Sequence, residues 1–352
     1  MTDTTETEPA GSATRIRRAD HAGVAFDADI ADCRRIVGER GGLHYVAHFT
    51  SGIFDFALES PGLRAASRDM TESFERLGRH LSLIVAQADT VCEPLDSGPL
   101  IRVVVQGGSG ALFHLVKVTG QSFFGLTLDG APGTVDRADE QLGQLGESAA
   151  HRVGATSLNW GAFHAREDSG ELWRTYQTDP SARPGCEPHT AGRAGLEVPG
   201  PVALECCRAL HADDLHYIGI YRDGQLAWHT DMFEDPALAS FFQRVTPAVR
   251  RRGYARLIEH VHGQHRRLTQ LLDVTGSDRL VQLVLDVARG AIFVLPLNND
   301  DYLVGVTLIQ SQVKQADRMI TSVREQLRPL AGAEGTAASA DLGAQSGGDP
   351  VG

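Results

Sequence analysis

Apolar residues along this chain follow two rhythms, and the same succession of rhythms occurs twice. Met70, Phe74, Leu77, Leu81, Ile84 and Ala88 recur at spacings of 4-3-4-3-4. That pattern places them on one stripe of a helix. Asp69 precedes the run and Glu72 lies three residues beyond it, the arrangement of a capping box with Asp as the cap. Pro94 and Gly98-Pro99 prevent the helix from continuing. Upstream, Ile30, Cys33 and Val37 define a shorter helix over 29–40, and residues 43–49 and 53–58 alternate around Ser51-Gly52 as a β-hairpin. Downstream, strands are predicted at Leu100–Val105, Ala111–Val118 and Ser122–Leu128. A closing helix carries Val135, Ala138, Leu142 and Leu145.

The second half repeats this order. A helix near 202–211 leads to a hairpin over 215–230 turned by Asp223-Gly224. Asp235-Pro236 reads as a cap followed by a favoured first-turn proline. Helical sequence then extends to Leu272, with Pro247 and Gly253 expected to interrupt it. Strands follow at Leu280–Asp286, Ala291–Leu297 and Tyr302–Leu308. A last helix presents Val313, Ala316, Ile320, Val323 and Leu327.

The repetition extends to residue identity. Leu43-His44-Tyr45 matches Leu215-His216-Tyr217 at an offset of 172, and residues 110–128 share seven identities in 19 positions with 290–308 at an offset of 180. An internal repeat of this length implies a duplicated domain. The fold class expected is α+β: two repeats of α-β-β-α-β-β-β-α, each a five-stranded antiparallel sheet with a long central helix on one face. The repeats span 21–148 and 198–330. Residues 1–20 and 331–352 are expected to be disordered tails. Residues 149–197 are expected to be a linker, with an extra hairpin near Trp160 and Trp173 as one reading.

This element order, with short turns at Gly52 and Gly224 and the strand endings Gly125-Leu126-Thr127 and Gly305-Val306-Thr307, resembles the Roadblock (dynein light chain) family within the longin-like group. The resemblance implies small non-enzymatic domains that dimerise through the central helix and an edge strand. It further implies a role as regulator or scaffold for small Ras-like GTPases. A tandem copy would form an intramolecular pseudo-dimer, with the central helices around 69–89 and 236–272 as contact elements. Two other classes stay open: a GAF-like small-molecule sensor, and a chaperone or secretion adaptor.

Charge narrows the partners. The net charge is −12, with three acidic residues in 1–12 and three in 331–352. An acidic body disfavours nucleic acid, which needs a basic field. Five cysteines with no Cys-x-x-Cys, and no apolar run long enough to span a bilayer, imply reduced thiols and a cytoplasmic protein. Further assembly of tandem chains is compatible with the pattern.

The one basic cluster, Arg250-Arg251-Arg252 with Arg256 and Arg266-Arg267, is either a solvated helix face or a site for an acidic or phosphate-bearing protein partner. Arg250, Arg251, Arg252, Arg256 and Arg266 are the candidate partner-binding residues. His260, His262 and His265 have no local Cys or clustered carboxylate to complete a metal site, so no metal or cofactor is expected. Gly107-Gly108-Ser109-Gly110 lies between two strands and reads as a hairpin turn, not a phosphate cradle. His44 and His216 read as satisfied structural histidines. No spacing suggests a nucleophile, base and orienting acid, so the expectation is a non-enzymatic protein.

Overall fold

The computed structural model describes residues 14–38, 42–66, 71–154, 187–196, 198–298 and 300–327. Twelve strands form one antiparallel sheet: β1 Arg15–Arg18, β2 Tyr45–Thr50, β3 Ile53–Glu59, β4 Leu100–Gly107, β5 Ala111–Val118, β6 Gln121–Thr127, β7 His189–Gly192, β8 Tyr217–Arg222, β9 Gln225–Asp231, β10 Leu280–Val287, β11 Gly290–Pro296 and β12 Tyr302–Thr307. The helices are α1 Asp27–Ile36, α2 Pro61–Ala66, α3 Thr71–Cys92, α4 Pro132–Arg152, α5 Gly200–Ala209, α6 Pro247–Leu272 and α7 over 313–327.

The strand order is β1-β3-β2-β6-β5-β4-β10-β11-β12-β8-β9-β7. Read inward from either end, it runs through corresponding strands of the two halves and meets where β4 pairs β10. That seam joins Val103 to Leu285 and Val105 to Leu283. Each half thereby closes the open edge of the other, so neither presents that row of unpaired peptide groups to solvent. Both short hairpins use the same turn. Ser51-Gly52 and Asp223-Gly224 each place two successive residues at positive φ (51° and 77°; 52° and 68°). These are the dihedral signs of a type I′ connection, whose twist matches that of the strands.

Alternation along the strands divides the core between two helical layers. Val103 and Val105 face α3 and α6 with Leu81, Val85, Leu257 and Val261. Val104 faces the opposite layer with Leu142 of α4 and Ile320 of α7. Each such aliphatic side chain contributes roughly 1.5–3 kcal/mol on full burial. The helices α3 and α6 lie against each other on one face, and the gap between them and the sheet is a cavity of only ≈ 20 Å³ lined by Ile84, Val85, Ala88, Val261 and Leu268.

Three sequence expectations are corrected. The sheet contributed by each half has six strands, not five, because β1 and β7 extend its outer edges: Arg15 pairs with Glu59, and His189 with Asp231. The sequence pattern places these segments in a disordered tail and a linker. They join through main-chain hydrogen bonds and carry few apolar side chains, so no period-two signal marks them. The third correction concerns α6, which runs through Gly253 without a break. A Cβ there would lie 2.4 Å from Leu95, so the glycine lets the turn after α3 approach the helix. Pro247 begins this helix and does not interrupt it. Thr246 caps it by accepting from the Val249 amide at 3.4 Å, and the preceding 236–242 segment is a 3-10 turn capped by Asp235. The Asp69 cap, the Trp160/Trp173 hairpin and the C-terminal tail lie outside the described residues.

A buried charge cluster occupies the seam. Arg102 of β4, 3% exposed, pairs with Asp286 of β10 and with Asp139 of α4, the latter at 2.5 Å. The repeat relates Arg102 to Gln282 and Gln106 to Asp286, and the two pairs Arg102↔Asp286 and Gln282↔Gln106 are both Cα partners across the seam. One pair is ionic and the other amide. Asp317 of α7, which answers to Asp139, accepts from Gln282 Nε2 at 2.6 Å.

Candidate docking face

The layer formed by α3 and α6 has an outward surface set by helical spacing. On α6, Tyr254, Leu257, Ile258, Val261 and Leu268 are buried, which leaves Arg252, Arg256, Glu259, Arg266 and Arg267 exposed. On α3, Phe74, Leu77, Leu81 and Val85 are buried, leaving Glu72, Arg76, Arg79 and Leu83 on or near the surface, Leu83 at 60% exposure. Arginine predominates on this face although the protein as a whole is acidic. Guanidinium forks suit carboxylate or phosphate recognition.

The arginine cluster predicted from sequence is divided by the helix. Successive residues are turned by about 100°, so three in a row cannot share one face. Arg250 falls four residues before Tyr254, on the buried stripe. It is 2% exposed, donates from Nη2 to the Phe241 carbonyl at 3.1 Å, and lies 5.1 Å from the centre of the Phe242 ring. Arg251 donates through Nε and Nη2 to both oxygens of Asp231, at 2.8 and 2.7 Å, with Glu234 at 3.3 Å. Arg250 and Arg251 thus hold α6 to the segment before it. Arg252, Arg256 and Arg266 are exposed. Sequence spacing could have separated them, since 250, 254, 257, 258 and 261 share one stripe.

The matched histidines are structural. His216 Nδ1 accepts from the Leu308 amide at 3.1 Å while Nε2 donates to the Ala212 carbonyl at 2.9 Å. His44 Nδ1 likewise accepts from the Leu128 amide at 3.1 Å. Burial pushes His216 down to about 4, which keeps the accepting nitrogen unprotonated. Gly107–Gly110 forms the β4–β5 turn, and Ser109 donates its amide to Ser277 Oγ of the other half at 2.9 Å. Burial pushes the Cys92 and Cys206 thiols up to about 12, so neither is a ready nucleophile. Among the described residues, no helix is long and apolar enough to cross a membrane.

Among the described residues, two clusters bring three possible metal ligands together: His189, His229 and Asp231, and Asp223, His262 and Asp300. In the first, Asp231 is already engaged by the Arg251 guanidinium, whose positive charge opposes a second cation. In the second, the histidine that lacked neighbours in sequence gains two carboxylates from distant hairpin turns. His260 sits apart, lining the gap between α3 and α6. The chain matches no protein-family model, no curated protein and no solved structure.

Proposed function

We propose that this protein is a non-enzymatic regulator or scaffold that recognises a folded partner through the outer face of α3 and α6, the partner class being a small Ras-like GTPase. The observation that carries this reading is the seam. Two similar halves are joined through β4 and β10 into one sheet, with their long helices side by side on the same face. The Roadblock-like resemblance implies pairing through a central helix and an edge strand, and the seam supports that reading. Covalent linkage between the halves favours this arrangement by raising their effective concentration.

The filled gap beneath the helices supports recognition at the surface over ligand sensing. A sensor of GAF-like type needs a cavity of roughly 300 Å³ or more; the gap between α3, α6 and the seam holds ≈ 20 Å³, and the larger clefts of ≈ 500 and ≈ 820 Å³ lie open beside β1. Exposed Arg252, Arg256 and Arg266 suit an acidic surface on the partner. Affinity purification of the full chain from its native cell, with identification of the retained proteins, tests the proposal. Recovery of a Ras-like GTPase that binds the purified chain supports it. Recovery of unfolded clients, with no GTPase, points to an adaptor for disordered chains and contradicts it.

A further inference from the structure

We propose that Asp223, His262 and Asp300 form a binding site for a divalent transition-metal ion of the zinc type. The three residues come from separate elements. Asp223 occupies the β8–β9 turn, His262 the middle of α6, and Asp300 the β11–β12 turn. Their ligand atoms all lie within 4.8 Å of one another. His262 Nε2 is 3.8 Å from Asp223 Oδ1, too far for a hydrogen bond. Two ligand atoms on one tetrahedral zinc, each about 2.0–2.1 Å from the metal, are separated by roughly 3.3 Å. A small rotation of the exposed Asp223 side chain closes that difference.

The surroundings orient the imidazole. His262 Nδ1 is 3.2 Å from the Tyr302 hydroxyl, and His265 Nδ1 is 3.1 Å from the same oxygen. One hydroxyl can accept from one ring and donate to the other. When His262 Nδ1–H donates to Tyr302 and Tyr302 donates to His265 Nδ1, His262 Nε2, 3.8 Å from Asp223 Oδ1, keeps its lone pair for a ligand bond. A metal-binding histidine is held in this way by a partner on its other nitrogen. The turns are also built to converge. Gly224 has φ 68°, and a Cβ there would lie 2.7 Å from the His262 ring, so only glycine lets the turn close on it. The Gly224 amide reaches the Asp300 carbonyl at 3.4 Å. Asn298 Oδ1 accepts from the amides of Asp300 and Asp301, both at 2.8 Å, which orders the second turn.

Charge distinguishes this cluster from the His189 group. Two carboxylates and one imidazole offer a cation two negative charges; Arg266, Arg267 and Arg279 line the adjoining cleft, but no guanidinium is paired to either carboxylate among the contacts described. The repeat offers a second contrast. At offsets of 172 and 180, the first half has Ser51, Ser82 and Gly120 where the second has Asp223, His262 and Asp300. Duplicated architecture alone therefore does not require these ligands. A bound ion would tie the middle of α6 to both turns and leave a coordination position for water in the adjoining open cleft of ≈ 650 Å³.

Calorimetric titration of the metal-stripped full chain with ZnCl₂, with melting temperature recorded in parallel, tests the site. The wild type is expected to bind one equivalent with a rise in melting temperature. Asp223→Asn and Asp300→Asn, both changes to exposed turn residues, are expected to remove that equivalent. Tyr302→Phe is expected to weaken it by about tenfold or more, the effect of losing an orienting partner. His189→Ala is expected to leave it intact. Absence of binding by the wild type, survival of the equivalent in Asp223→Asn and Asp300→Asn, or its loss in His189→Ala would overturn the proposal.

Discussion

Arg102 and Asp286 are Cα partners across the seam, and their guanidinium and carboxylate meet in the protein interior. The ion pair links one half to the other. If the first half paired with a second copy of itself in the same register, Arg102 would face Gln106. A self-pair of the second half would set Asp286 against Gln282. The first alternative leaves Arg102 with Asp139 of its own half alone, and the second leaves Asp286 buried without the Arg102 guanidinium, which is costly. The cluster thus favours pairing between unlike halves in addition to holding the sheet together.

Removing only the cation exposes that cost. Arg102→Leu is expected to destabilise the chain by about 3–5 kcal/mol, because Asp286 and Asp139 lose their counter-charge in the interior. Arg102→Leu combined with Asp286→Leu is expected to recover part of the loss. Urea unfolding of both variants checks this. A double variant no more stable than the single one would show that the ion pair is not the source of the effect.

The same cluster sets a pH dependence. Burial pushes Asp139 up to about 7, against Arg102 and with the help of Asp286, since two carboxylates share one guanidinium. An unfolded aspartate titrates near 3.8. Between those values the folded state holds a proton that the unfolded chain has released, so this group makes stability fall as pH rises from about 4 to 7. Asp317, pushed up to about 6 by burial, acts in the same direction. Asp139→Asn is expected to flatten the decline in unfolding free energy between pH 5 and pH 7.5. An unchanged slope would remove Asp139 as its cause.

The arginines of α6 are expected to separate by role. Arg250→Ala removes a buried side chain from the Phe241 carbonyl and the Phe242 ring, with an expected loss of about 2–4 kcal/mol. Arg252→Ala, two residues further on and exposed, is expected to fall within about ±0.5 kcal/mol. Melting curves of the two variants decide the matter. Replacing all three arginines together would therefore confuse partner binding with stability.

Close packing of α3 on the sheet gives a further test. A Cβ at Gly78 would lie 2.8 Å from the Phe49 ring and 3.2 Å from Phe124. Alanine improves helix propensity by about 1 kcal/mol, but a buried aromatic ring has little room to move. Gly78→Ala is expected to destabilise by about 1–3 kcal/mol through overpacking. A stabilised variant in denaturant titration would place α3 farther from the sheet than described.

Much of the architecture was legible because the signals were periodic. The stripe from Phe74 to Ala88, the Asp223-Gly224 turn and the matched strands at offsets of 172 and 180 all encode local structure in residue order. What escaped depends on contacts between distant residues. Arg15–Arg18 and His189–Gly192 become strands only because β3 and β9 offer open edges. Gly253 looks like a helix breaker until Leu95 occupies the space beside it. Arg250 belongs to the core although the two residues after it are also arginines. Asp223 and Asp300 reach His262 through the folding of two hairpins, which no local motif announces. Arg102 and Asp286 are likewise paired by the seam alone.

The most direct test of the account is capture of a Ras-like GTPase by the full chain carrying Arg252→Glu, Arg256→Glu and Arg266→Glu, compared with the wild type at equal melting temperature. These changes reverse charge on the exposed face and leave Arg250 and Arg251 in place. The wild type is expected to retain the GTPase, and the triple variant to lose it by about tenfold or more. Equal retention by both proteins would contradict the assignment of the α3 and α6 face as the docking surface.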